Sequence, residues 1–138
     1  MTRQPRISVL VTSYNREDTI ADSIESVLAS TFGDFEVLVT DNRSTDGTVA
    51  VAERIAKRDR RVRVVVNEAN LGQFGNRNRA AELARAPFLK YHDSDDLMYP
   101  HCLAVMVPML LSQPRAAFGL SCGNAWPGGP CPMLLTPR

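Results

Sequence analysis

Four short runs rich in β-branched or aromatic residues, at 7–12, 35–40, 62–66 and 88–92, are separated by stretches in which apolar residues recur at helical spacing. That alternation constrains the chain more than any other feature. Runs of this kind suit buried strands. Ile20, Ile24, Val27 and Leu28 share one face of a helix expected from about Asp18, which Gly33-Asp34 ends. Val49, Ala52, Ile55 and Ala56 share a face of the next, with Thr45 or Asp46 as its N-cap. A loop is expected over 67–75 and a short helix over 76–85, stopped by Pro87. Pro100 suits the first turn of a further helix running to about Gln113, and 116–122 form a candidate fifth strand. Strands that alternate with helices imply an α/β fold: a mostly parallel sheet with helices on both faces.

A chain of 138 residues can bury one core. Sixteen basic and fifteen acidic residues leave a net charge of +1, so nothing calls for a nucleic-acid partner. The first apolar run is too short for a secretory signal. The stretch 102–111 is too short to span a bilayer and contains Pro108, so it reads as a buried helix. Cys102, Cys122 and Cys131 form no C-x-x-C pair. Free thiols in a reducing cytosol fit them better than a Cys122–Cys131 bridge, and the expected location is cytoplasmic, with a membrane-peripheral position as the alternative. The basic run Arg54, Lys57, Arg58, Arg60, Arg61 and Arg63 reads as a helix C-terminus and an exposed strand edge. A membrane-surface role is the lesser reading of it.

In parallel α/β sheets, ligands bind beyond the carboxyl ends of the strands where strand order reverses. Polar clusters fall at those ends: 12–16, Asp41-Asn42, and Asp93-Ser94-Asp95-Asp96. The last of these offers hard oxygen ligands in a D-x-D pattern. It suits Mg²⁺ or Mn²⁺ sharing its shell with substrate phosphates. The competing reading is a turn before a helix N-terminus, which Asp and Ser also favour. No G-x-G-x-x-G follows the first strand, no glycine occurs between Met1 and Thr31, and there is no P-loop. A dinucleotide cradle built from backbone amides is therefore unexpected, and phosphate binding would rely on a cation. His92 beside Asp93 is either a ligand or, more in keeping with its place in a strand, a neutral structural histidine.

The stretch Ile7-Ser8-Val9-Leu10-Val11-Thr12-Ser13-Tyr14-Asn15-Arg16 resembles the opening of family-2 glycosyltransferases with the Rossmann-like GT-A fold, as does Ser23-Ile24-Glu25-Ser26-Val27-Leu28. Residues 34–48, with Asp41-Asn42-Arg43-Ser44-Thr45-Asp46-Gly47, are similar to their second strand and turn. Asn70-Leu71-Gly72 with Arg77-Asn78 resembles the loop and helix before their metal motif, and Asp93-Ser94-Asp95-Asp96 with Pro100 resembles that motif itself. The resemblance runs in order over about 7–114. It implies a nucleotide-sugar donor, with UDP the expected nucleotide. Thr12, Tyr14, Asn15 and Arg16 would line the nucleoside pocket, Asp41 would accept a hydrogen bond from the base, and Gly72 would allow close backbone approach. Arg77, Asn78 and Ser94 belong to the same implied donor site. Asp95 and Asp93 would hold the divalent ion, Mn²⁺ or Mg²⁺.

Simpler roles stand beside these. Tyr14 would pack over the sheet end, Asp41 would form a turn, and either Arg77 or Arg79 would be a solvated helix charge. In such inverting transferases a downstream carboxylate deprotonates the acceptor, yet no Asp, Glu or His follows His101 here. The expectation is a donor-binding part spanning 1–122, cut short after the D-x-D region, with 123–138 a Pro/Gly-rich loop or the start of the acceptor-binding part. Such a chain would transfer sugar weakly or not at all, or would serve as a non-catalytic nucleotide-binding module. Self-association through the uncovered surface is expected, and the acceptor (saccharide, lipid or protein) is not specified.

Overall fold

The computed structural model describes residues 4–113, 115, 118–120 and 133–135. Strands β1 (Ile7–Ser13), β2 (Phe35–Asp41), β3 (Val62–Val66) and β4 (Phe88–Asp93) form one sheet in the order β3-β2-β1-β4, with every neighbouring pair parallel. Helices α1 (Ile20–Leu28), α2 (Thr48–Arg58), α3 (Gly72–Leu83) and α4 (Cys102–Ser112) connect or follow them. The chain winds outward from β1 to β3. It then returns through α3 to the other side of β1, so strand order reverses between β1 and β4.

Side-chain alternation divides the core between the two faces of the sheet. Ile7, Val9 and Val11 of β1, with Phe35, Val37 and Val39 of β2, pack with Ile20, Ile24, Val27, Ile55, Leu103 and Val107 from α1, α2 and α4. Leu10 and Leu38 point the other way, against Ala80 of α3. Covered on both faces, β1 and β2 need no polar alternation, which is why they read as continuous apolar runs. Burying a side chain such as Leu38 contributes about 1.5–3 kcal/mol.

Element ends differ from the sequence reading for reasons that lie in distant contacts. α1 begins at Ile20 rather than near Asp18, because Thr19 caps it and its backbone N–H already bonds Arg16 O. α2 is capped at Gly47 without a side-chain bond, while Asp46, one residue earlier, accepts the Thr48 N–H at 3.0 Å. α3 starts at Gly72, inside the segment expected to be loop. Asn70 Oδ1 turns the chain by accepting the Gly72 N–H at 2.9 Å, and Gly72 takes a φ of +71°. At its other end Arg85 leaves the helix, since its N–H donates to buried Glu36 at 2.8 Å. α4 begins at Cys102 instead of Pro100, whose carbonyl is held by Thr31 N–H at 2.8 Å.

The candidate fifth strand is shortened to β5 (Phe118–Leu120) and does not extend the parallel sheet. It pairs antiparallel with β6 (Met133–Leu135), which falls within the segment read as Pro/Gly-rich loop. The remaining residues of 121–138, including Cys122 and Cys131, lie outside the described residues. Cys102 is a free thiol. Among the described residues no helix is long and apolar enough to cross a membrane.

Candidate functional site

Strand register brings the polar clusters together. Thr12 of β1 lies beside Thr40 on one side and Asp93 on the other, and Ser13 lies beside Asp41. The loops leaving β1, β2 and β4 therefore open at one level, at the reversal of strand order. Between them is a cleft of about 480 Å³, a size that suits a small molecule. Its walls come from the β1 exit (Thr12, Ser13, Tyr14, Arg16), from an amide-rich side (Asn42, Asn70, Gly72, Gln73, Asn76) and from Asp93, Ser94 and Asp95.

The acidic wall is positioned by α1. Thr19 Oγ1 donates to Ser94 O at 3.0 Å and Ser23 Oγ to Asp93 O at 3.2 Å, while Ser26 Oγ accepts the Met98 N–H at 3.0 Å. These hydroxyls lie four and three residues apart, hence along one helix face. They fix the D-x-D backbone and leave the Asp93 and Asp95 side chains about half exposed, at 49% and 51%. Each carboxylate meets an arginine. Arg77 Nη2 lies 2.6 Å from Asp93 Oδ1, and Arg16 Nε lies 3.6 Å from Asp95 Oδ2. Side-chain alternation sends His92 to the opposite face of β4, where it is buried; desolvation holds its imidazole below the usual range, so it is a neutral core residue.

The amide wall is a hydrogen-bond network whose members Asn42, Asn67 and Asn76 are buried. Asn42 Nδ2 donates to Asn70 Oδ1 at 2.7 Å, and Asn42 Oδ1 accepts the Leu71 N–H at 2.8 Å. Asn67 Nδ2 donates to Asn76 Oδ1 at 2.9 Å, and Asn76 Nδ2 to Thr40 O at 2.9 Å. This network ties the loop before α3 to the end of β2. It sets where Asn70 and Gly72 meet the cleft.

Asp41 does not face the cleft. It is fully buried beneath it, and both oxygens are occupied: Oδ1 by the Ser44 N–H at 2.7 Å, Oδ2 by Ser44 Oγ at 2.6 Å and Ser13 Oγ at 2.9 Å. Its neighbour Asn42 takes the lining position instead. Asn15 is likewise a brace. At φ 51° it accepts the Thr45 N–H at 2.8 Å and donates its own N–H to Ser44 Oγ at 2.8 Å. Asn78 is exposed on α3 away from the lining, and Arg77 stands behind Asp93. Thr12, Tyr14, Arg16, Gly72, Asp93, Ser94 and Asp95 do line the cleft. Sequence reasoning put Ser13 and Asn42 in the polar clusters and Asn70 in the loop before α3 without giving them a binding role, and it did not single out Gln73 or Asn76. Asn42 was signalled by its place beside Asp41, and Asn76 by its four-residue spacing from buried Ala80.

Among the described residues no three His, Cys, Asp or Glu side chains gather into a complete cation cage. Two half-exposed carboxylates on one wall nevertheless fit a hard cation that keeps most of its shell for water and phosphate oxygens. Zinc is a poorer match to this donor set, which lacks nitrogen and sulfur.

The family model for glycosyl transferase family 2 matches residues 8–124. The Escherichia coli UDP-Glc:alpha-D-GlcNAc-diphosphoundecaprenol beta-1,3-glucosyltransferase WfgD is 36% identical over 105 residues, covering 76% of this chain and 41% of that protein. The crystal structure of S. aureus TarS 1-349 in complex with UDP-GlcNAc superposes with a TM-score of 0.73 at 30% identity, covering 78% of this chain and 32% of that one. The mannosyltransferase PcManGT from Pyrobaculum calidifontis, in complex with GDP-Man and Mn2+, gives a TM-score of 0.79 at 26% identity over 90% of this chain and 37% of its own. The chain thus spans less than half the length of each of these proteins.

Proposed function

This chain belongs to glycosyl transferase family 2, with the GT-A fold, and from that premise we propose that its cleft binds the nucleoside diphosphate of a sugar donor, with a divalent cation held by Asp95 and Asp93. The observation that carries the reading is the meeting of the D-x-D carboxylates and the amide wall in one cleft at the reversal of strand order. In this reading Tyr14 stacks on the nucleoside, the Asn70–Gly72 backbone faces the base, and Arg16 approaches the diphosphate. The role of Asp41 is to hold the β1 and β2 exits together rather than to touch the base. A UDP-sugar is the donor class we favour. WfgD and TarS, at 36% and 30% identity, carry UDP-linked sugars in their names or complexes, whereas the GDP-mannose complex is at 26%.

When bound, Mn²⁺ or Mg²⁺ would offset the charge that develops on the diphosphate leaving group. Inverting transfer also needs a base for the acceptor hydroxyl, and no Asp, Glu or His follows His101. We assign donor binding to the residues that line the cleft. A second reading is a nucleotide-binding module without catalysis. Acceptor-dependent release of UDP, assayed over saccharide, lipid and protein acceptors, separates the two.

Calorimetric titration with UDP tests the donor site. Binding is expected to tighten with Mn²⁺, and to weaken both with EDTA and in Asp95→Ala. Equal affinity in all three would remove the cation from the argument.

A further inference from the structure

Both D-x-D carboxylates already have a cationic partner, but the two pairs differ in kind. Arg16 and Asp95 are 3.6 Å apart and each about half exposed, an arrangement worth little in water. Arg77 is held far more closely. Its Nη2 is 2.6 Å from Asp93 Oδ1, and its guanidinium carbon is 5.9 Å from the centre of the Tyr91 ring. Its Nε is buried without a partner. Alternation along β4 puts Tyr91 and Asp93 on the side of the sheet where α3 packs against β1 and β2, and Arg77 reaches from α3 to both. A guanidinium held in place by packing loses little further freedom on pairing, so this contact persists where a flexible surface pair would not.

A cation that takes Asp93 Oδ1 displaces the guanidinium held there at 2.6 Å, and one that takes Oδ2 binds beside it. Resting on the donor-site reading above, we propose that Arg77 is a built-in competitor for the divalent cation at Asp93. Alone, a cation must either displace a matched positive charge or bind next to it, and either way it meets that charge uncompensated. With the nucleotide present, the diphosphate supplies the negative charge that both cations need. Arg77 thus makes cation binding depend on the nucleotide, and keeps Asp93 neutralised while the cleft is open.

The test measures Mn²⁺ affinity by electron paramagnetic resonance, with and without UDP, on the 138-residue chain. Arg77→Gln should bind Mn²⁺ alone about tenfold more tightly than the native chain, the lower end of what one adjacent charge does to a carboxylate's cation or proton affinity. The mutual tightening between Mn²⁺ and UDP should shrink by the same factor, and Arg77→Lys should restore much of it. In an Asp93→Asn background, Arg77→Gln should add nothing. A merely structural role would not produce that pattern. Unchanged or weaker Mn²⁺ binding in folded Arg77→Gln overturns the inference; if Mn²⁺ still tightens UDP in the native chain, the donor-site reading survives. Failure of both native and variant chains to bind Mn²⁺ in the presence of UDP overturns both. Should Arg77→Gln not fold, the guanidinium ¹⁵N signal of Arg77 in the native chain reads the same competition. It should move with Mg²⁺ plus UDP and stay put with Mg²⁺ alone. Movement with Mg²⁺ alone, or none in either case, overturns the proposal.

Discussion

Replacing Asp41 distinguishes a residue that reads the base from one that builds the wall. The carboxylate is fully buried and receives three hydrogen bonds, from Ser44 N–H, Ser44 Oγ and Ser13 Oγ, all between 2.6 and 2.9 Å. Asp41→Ala strands those donors beneath the cleft. Bonds to a charged group contribute about 1.5–3 kcal/mol each, but the two hydroxyls can turn to other acceptors, so the net loss should be about 3 kcal/mol. Asp41→Asn should cost less, about 1 kcal/mol. Its amide oxygen can still accept from Ser44 N–H, and its NH₂ can donate to both hydroxyls, which accept as well as donate. Urea denaturation measures the stabilities, and competition among UDP, CDP and GDP measures base choice. If Asp41 is a brace, both variants lose stability in that order, and the folded Asn variant keeps the native ranking of nucleotides. A folded Asp41→Ala with native stability but altered nucleotide ranking would refute the reasoning and return Asp41 to the base.

Asn42→Ala should weaken UDP binding, because the Asn70–Leu71 wall loses bonds of 2.7 and 2.8 Å, and should cost about 1–3 kcal/mol in urea denaturation; unchanged UDP affinity would count against the amide wall. Tyr14 is 45% exposed, so Tyr14→Ala should leave stability nearly unchanged while UDP binding falls by about 1–3 kcal/mol, the usual worth of an aromatic stacked on a base. The opposite pattern would make Tyr14 a packing residue. The Asp59 carboxyl is held below its ordinary 3.8 chiefly by the Arg61 side chain, 2.7 Å away. A lowered carboxyl pKa stabilises the fold above the unfolded value, and that contribution drains away as pH falls through the folded value. The stability difference between the native chain and Asp59→Asn should therefore be full at neutral pH and shrink below pH 3.8; a constant difference would refute the pairing.

The positions of the strands and helices are legible residue by residue, because their signals are local. The β-branched runs at 7–12 and 35–40 are continuous over single strands, and Ile20, Ile24 and Val27 repeat within one helix. Also legible is the place of Asp93 and Asp95 at a strand exit, since the motif directly follows the fourth run. Helix ends were less legible. Arg85 leaves α3 for Glu36, 49 residues away, and Pro100 is withheld from α4 by Thr31, 69 residues away. Which of two adjacent residues, Asp41 or Asn42, faces the cleft depends on contacts between distant segments. Side chains on an extended strand alternate, but at its exit the direction is set by the turn, and that turn is closed by Ser13 across 28 residues. The amide wall is non-local in the same way: Asn76 is held by the Thr40 carbonyl 36 residues away and Asn42 by Asn70 across 28. The Arg77–Asp93 pair likewise depends on α3 packing on β1 and β2, beside β4. Periodicity carries no record of such partners, because hydrogen bonds between elements depend on register and approach, which are fixed only once the sheet and its covering helices have packed.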